Sequence, residues 1–165
     1  VPITPLRRQI MTTTPLPEIA RDFPFVLDFA QSLYFHREGE GILTGQSNPH
    51  ERPGFDQDVD PAWELDHMEA AVARLPLLAK AGRLAHWAGL YEMTPDAHPI
   101  LGGTPQLAGY YIVAGFSGHG FMHGPGAGLL LSEVILDGEA RTLDISSLAL
   151  SRFAEGRLIR EYNVV

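Results

Sequence analysis

An α/β fold is what this sequence predicts, and three observations carry it. Alternating, β-branched segments fill the first part of the chain, a stretch with apolar residues at helical spacing follows them, and near the end an apolar strand runs into a glycine-dense loop and a second helical pattern.

Taken in order, Arg8 to Thr14 reads as a strand whose threonines suit a pleated surface, ended by Pro15 and Pro17, and Phe25 to Phe29 reads as a second. Leu33 to Arg37 and Ile42 to Thr44 flank Glu38-Gly-Glu-Gly41, a hairpin turn in which glycine supplies positive φ. The polar stretch from Gln46 to Asp60 is a loop, long enough to be a site lid or disordered. Asp60-Pro61 starts a helix, with Asp at the cap and Pro at the first helical position. Leu65, Met68, Val72 and Leu75 then mark its buried stripe, and Pro76 interrupts it. Arg83 to Met93 is a long strand with Leu84, His86 and Ala88 on one face, closed by a turn at Thr94-Pro-Asp96. Tyr110 to Ala114 is the last strand, and the helical pattern after Pro125 runs from Gly126 to Leu136.

Composition narrows the function classes. The 165 residues are 45% hydrophobic and 19% charged, close to a globular average, and no apolar run approaches a membrane span. A formal charge of −8 disfavours nucleic acid or an anionic membrane surface as partner, since each requires a basic patch. Without cysteine there are neither disulfides nor thiolate metal sites. The chain begins at Val1 in an extended pattern with no signal peptide, so a cytoplasmic setting is the default expectation and the natural start is expected to lie upstream.

The segment Tyr110-Tyr-Ile-Val-Ala-Gly-Phe-Ser-Gly-His-Gly-Phe-Met-His-Gly-Pro-Gly-Ala-Gly128 concentrates the chemistry. Glycines let the backbone approach a flat or anionic ligand, and the N–H groups opening the following helix can hold partial negative charge. A phosphate-binding fingerprint ordinarily opens a nucleotide domain, whereas this loop lies in the last third of the chain. His119 and His123 stand four apart, as a helical metal pair would. The glycines beside them disfavour helix and no third ligand is placed nearby, so no metal is expected.

Gly-Phe-Ser-Gly-His-Gly-Phe-Met (115–122), preceded by Trp87-Ala-Gly-Leu-Tyr-Glu-Met-Thr-Pro-Asp-Ala-His-Pro-Ile-Leu-Gly102, resembles the C-terminal part of the FAD-dependent oxidoreductases of the D-amino-acid oxidase superfamily. Sarcosine oxidase β-subunits, dye-linked L-proline dehydrogenase β-subunits and glycine oxidases are the most similar groups. The likeness runs from Pro5-Leu-Arg-Arg-Gln-Ile10 to Arg152-Phe-Ala-Glu-Gly156, and members are more than twice this long. What the resemblance implies is a mixed-sheet substrate domain over 1–93, the last strand and helix of the dinucleotide-binding FAD domain over 94–138, and a tail over 139–165. FAD is the implied cofactor, with its pyrophosphate site in a missing N-terminal half. A small-molecule amine or amino acid is the implied substrate, oxidised at its C–N bond to an imine by hydride transfer. That N-terminal half, or a second copy in a homo- or hetero-oligomer, is the implied partner.

By the same resemblance Gly115, Phe116, Ser117, Gly118, His119, Gly120, Phe121 and Met122 line the flavin. His119 is either a flavin contact that stabilises its reduced form or a structural hydrogen-bonder, and Tyr91 either touches the substrate carboxylate or is a half-buried strand residue. Three departures matter. Gly89 stands where flavin-linking members have cysteine, so FAD is expected to be non-covalent at this half. Met122 stands where many sarcosine-type oxidases place a lysine at the substrate carboxylate. Leu43 aligns with the lysine that rapidly oxygen-reacting members hold over the flavin, so a dehydrogenase is expected, inactive as this chain alone. The alternative is a non-catalytic module acting in binding or assembly. His36, His50, His67, His86 and His98 match no ligand spacing and read as surface or sheet residues, and Asp96 reads as a turn cap.

Overall fold

Five strands pair into one sheet in the order β2-β3-β4-β1-β5, formed by β1 (Thr4–Thr13), β2 (Val26–Asp28), β3 (Leu33–Glu38), β4 (Gly41–Gln46) and β5 (Arg83–Met93). β3 is antiparallel to β2 and β4, and β4 is antiparallel to β1. The fold class is the expected α/β. The computed structural model describes residues 1–161 and separates into two units, one of Leu6–Leu90 and one of Val1–Pro5 with 91–161. Among the described residues no helix is long and apolar enough to cross a membrane.

In the first unit strand alternation sets the core. Leu33 and Phe35 on β3 and Ile42 on β4 turn inward with Leu16, Ile19, Ala71 and Leu78. Helix α1 (Pro61–Arg74) closes this core, and its start is the expected one: the Asp60 side chain accepts the N–H groups of Ala62 and Trp63 at 2.9 and 3.4 Å, with Pro61 in the first turn. Its buried face differs from the expected stripe. Leu65 is 67% exposed, whereas His67 and Ala71 are fully buried with Met68, Val72 and Leu75 beside them. The small Ala71 lets the helix approach closely, and a polar anchor at His67 selects the face. Counting apolar residues alone sees neither effect.

His67 is therefore no surface or sheet residue. The Thr44 hydroxyl donates its one proton to the Tyr34 carbonyl at 2.9 Å, so across the 3.0 Å contact it accepts from His67 Nε2–H. This fixes the neutral imidazole with its proton on Nε2, and Nδ1 has no partner. Burial, reinforced by nearby His86 and opposed by Glu64, brings the His67 pKa down to about 4. His86, on β5 as expected, is nevertheless inside, its Nδ1 3.0 Å from Glu64 Oε2, which also pairs with Arg83 at 2.7 Å.

The segment Gln46 to Asp60 is ordered by a side chain that sequence periodicity does not flag. Arg7 on β1 donates to Glu51 at 3.1 Å, Asp56 at 2.8 Å and the Asp58 carbonyl at 2.6 Å, while Gln9 accepts the Asp60 N–H at 2.6 Å. The disordered alternative is thereby removed.

The second unit holds the hairpin β6 (Ile100–Thr104) and β7 (Leu107–Ala114), helix α2 (Gly120–Asp137) and the short α3 (Ser151–Ala154). β6 was absent from the expected elements because Gly102 and Gly103 weaken its strand signal, and the pairing is bulged between Gly103 and Thr104. Leu101, Phe116, Ala127, Leu130 and Ile145 make the core. α2 starts at Gly120, six residues before the expected Gly126, and carries Pro125 inside it. Glycine costs a helix about 1 kcal/mol each, but burial of Ala127 and Leu130 against Leu101 and Phe116 outweighs that local preference.

The buried histidine makes stability pH-dependent. A histidine whose folded pKa lies below its unfolded value contributes fully above pH 6.5, and that contribution is lost as pH falls toward 4, to the extent of about 3 kcal/mol. Thermal unfolding followed between pH 7 and about 4 is expected to show the midpoint falling in wild type. In His67→Gln, which keeps a donor toward Thr44, the slope in this window is expected to flatten.

Candidate functional site

The chain leaves β7 at Ala114 and enters α2 at Gly120 through five residues. Gly115, Ser117 and Gly118 have φ of 76°, 52° and 100°, and this left-handed run turns the backbone from strand to helix. Ser117 is a non-glycine residue in that region, a conformation costing about 1–3 kcal/mol that persists only when its surroundings over-determine it. Here they do. Ser117 is fully buried, and its Oγ donates to the Gly115 carbonyl and accepts the Thr94 N–H, both at 3.4 Å.

Two close approaches require glycine. A Cβ on Gly115 would lie 2.4 Å from Thr94 Cγ2, and one on Gly118 would lie 2.3 and 2.5 Å from Cε2 and Cζ of Tyr91. The Tyr91 ring thus lies directly on the Gly118 α-carbon, so these two expected site residues meet. The others divide by exposure. Phe116 is buried in the core, so only its backbone can face a ligand, whereas Phe121 is wholly exposed and Met122 is 67% exposed. His119 caps α2 by position, half-buried, with φ −96° and ψ 6°. Its ring stacks on His123 at 6.0 Å, and the His123 N–H donates to the His119 carbonyl at 3.2 Å, so the glycines do not prevent helix here. Among the described residues no group of three His, Asp or Glu could hold a metal ion. Leu43 lies in the other unit, half-buried on β4 and paired with His36 and Thr12.

At the start of α2 the N–H groups of Gly120, Phe121 and Met122 have no acceptor within the helix. No side chain caps them and no acidic residue occupies the first turn. The same groups next to open glycine backbone suit a ligand edge carrying carbonyl oxygens or developing negative charge.

Behind the loop lies an ion pair that the sequence reading missed. Asp96 does cap its own turn, accepting from Thr94 Oγ1 at 3.2 Å and the His98 N–H at 3.3 Å. It also receives Arg152 Nε and Nη2 at 2.8 and 2.9 Å, and both side chains are almost completely buried. Arg152 spends its remaining donors on the carbonyls of His98 and Leu148, each at 2.8 Å, and Ala149 at 3.3 Å. Burial opposes ionisation of Asp96, but the Arg152 guanidinium and the amides of Ile159 and His98 outweigh it and hold the carboxyl at about 2. The only sequence signal was the Arg152-Phe-Ala-Glu-Gly156 stretch, which names no partner.

Two measurements follow. Because the folded pKa of Asp96 is depressed, its contribution is present above pH 3.8 and is lost, at about 2 kcal/mol, as pH falls toward 2; Asp96→Asn is expected to abolish that part of the acid transition. Gly118→Ala is expected to cost about 2–3 kcal/mol in chemical denaturation. Part of that loss should be recovered in Gly118→Ala with Tyr91→Ala, and strictly additive costs would show that the ring is not what excludes the methyl.

Comparison with known proteins gives a consistent picture. The sequence pattern of DAO, FAD dependent oxidoreductase, matches residues 1–134. FAD-dependent oxidoreductase domain-containing protein 1 of Mus musculus is 32% identical over 86% of this chain and 30% of its own length. Mitochondrial dimethylglycine dehydrogenase of Mus musculus is 30% identical over 93% of this chain and 20% of its own. The structure of L-proline dehydrogenase from P. horikoshii superposes with a TM-score of 0.87 at 32% identity, covering 96% of this chain and 42% of that one. This chain therefore spans less than half the length of each of these relatives. With the strand, the left-handed loop and the uncapped start of α2 falling inside the matched residues, the chain belongs to the DAO family of FAD-dependent oxidoreductases.

Proposed function

We propose that this chain forms the substrate-side and flavin-edge portion of an FAD-dependent amine or amino-acid dehydrogenase, completed by an N-terminal half that holds the FAD pyrophosphate. The observation that carries this reading is the uncapped, acid-free start of α2, reached through left-handed Ser117 and Gly118 with Tyr91 packed on Gly118. Bound flavin supplies the oxidant, taking a hydride from the carbon beside the amine nitrogen to leave an imine.

The chain's own residues then have positioning and electrostatic work. The first N–H groups of α2, with His119 beside them, face the ring edge that gains negative charge on reduction, and fixed dipoles of this kind need no reorganisation as charge develops. Exposed Gly118 presents backbone at close range, while buried Gly115, Phe116 and Ser117 hold it from beneath. Tyr91 directs its hydroxyl to the substrate carboxylate, and exposed Met122 borders the same substrate without supplying a cation. Gly89 offers no thiolate, so the flavin is held non-covalently at this half. Leu43, which aligns with the lysine of rapidly oxygen-reacting members, supplies no charge to assist superoxide formation, which would favour a dye or quinone over oxygen as acceptor.

In the full-length flavoprotein His119→Asn is expected to lower the flavin reduction potential by tens of millivolts, about 30 mV corresponding to 1.4 kcal/mol for a two-electron couple. An unchanged potential with reduced thermal stability would assign His119 a structural role instead. Tyr91→Phe is expected to raise KM for the amine and leave the potential alone. Stopped-flow mixing of the substrate-reduced enzyme with oxygen tests the acceptor: slow reoxidation accelerated by Leu43→Lys supports the dehydrogenase reading, and rapid reoxidation of wild type rejects it.

A further inference from the structure

A continuous set of buried contacts joins the end of the second unit to its glycine loop. Arg152 is held against α3 and the turn before it through the carbonyls of Leu148 and Ala149, and its guanidinium lies 4.1 Å above the Phe153 ring. The guanidinium grips both oxygens of Asp96 and the carbonyl of His98, and the Ile159 N–H adds a contact to Asp96 at 3.3 Å. Asp96 and the His98 carbonyl in turn hold the Thr94 hydroxyl, the latter at 2.7 Å. Thr94 then touches the loop twice, its N–H on Ser117 Oγ and its methyl against the Gly115 α-carbon.

We propose that Arg152 and Asp96 are positioning residues for the flavin-facing loop, acting through Thr94 to keep Gly115, Ser117 and Gly118 left-handed and the start of α2 aimed at the ring edge. The functional half of this inference rests on the reading of the loop given above. The chemistry of the pair supports it. A buried ion pair adds little stability over apolar packing of the same volume, so holding a geometry is a better use for it than holding the fold together. The fork of Arg152 reaches one carboxylate and three carbonyls in fixed directions, which the point charge of a lysine cannot reproduce. Thr94 links the two regions through one methyl and one N–H, so small changes in the turn reach the strained Ser117 directly.

The test uses the full-length flavoprotein and two readouts, hydrogen exchange at named amides and the flavin reduction potential. The His119 amide bonds to the Phe116 carbonyl at 3.0 Å and the His123 amide to the His119 carbonyl at 3.2 Å, so both report the loop and the helix start. In Arg152→Lys their exchange is expected to quicken about tenfold while amides paired between β3 and β4 stay unchanged, and the flavin potential is expected to move. Thr94→Ser, which keeps the hydroxyl and removes only the methyl, is expected to act in the same direction more weakly. Unchanged loop exchange in folded Arg152→Lys overturns the proposal. If that variant does not fold, unchanged exchange in Thr94→Ser overturns it. Faster loop exchange with a potential that no variant moves, His119→Asn included, overturns the flavin-facing reading and leaves Arg152 a purely structural residue.

Discussion

The buried pair of Arg152 and Asp96 is the constraint on which the second unit depends. Taking two charges out of water costs several kcal/mol per ion unless every donor and lone pair finds a partner. Here the cost is met by density of bonding: two contacts between the ions, three carbonyls on the guanidinium, and one hydroxyl and two backbone amides on the carboxylate. The turn after β5, the segment around α3 and the backbone at Ile159 are thereby made one polar cluster. Breaking any member leaves the others buried and underbonded, which costs more than the removed bond itself.

The first unit solves an equivalent problem with one neutral pair and one part-exposed ionic anchor. Helix α1 is tied to the sheet by His67 on Thr44, and the segment from Gln46 to Asp60 is tied to β1 by Arg7. Each of these anchors is a polar group placed where periodicity would call for an apolar one or for nothing. They select among packings that the hydrophobic pattern leaves nearly equivalent, and the helix face is an example. Leu65 and His67 differ by two positions, about 200° around a helix, and hydrogen bonding decides which of them goes inside.

Legibility in the sequence followed the range of the interaction. The hairpin turn at Glu38 to Gly41, the cap at Asp60-Pro61 and the long strand from Arg83 to Met93 depend on neighbours in sequence, and each was readable. β6 was hidden by its two glycines, and the start of α2 by glycines whose helical conformation is imposed from the core. At the candidate site, motif wording selected Tyr91 and the loop, and the structure brings Tyr91 onto Gly118. It did not separate residues that show side chains to solvent, such as Phe121, from those that show only backbone, such as Phe116. The partner of Asp96 lies 56 residues away, beyond any local pattern.

The packing of Tyr91 on Gly118 makes the two positions a single steric choice. The ring occupies the space a β-carbon would need, so the pair can exchange bulk but cannot both be large. Anyone varying this loop by saturating one position at a time would find residue 118 intolerant and discard it, when the obstacle is the aromatic ring opposite. Varying the two together opens combinations closed to either alone. Even then the φ of 100° at residue 118 discriminates among the newcomers, accepting asparagine or aspartate more readily than any β-branched side chain.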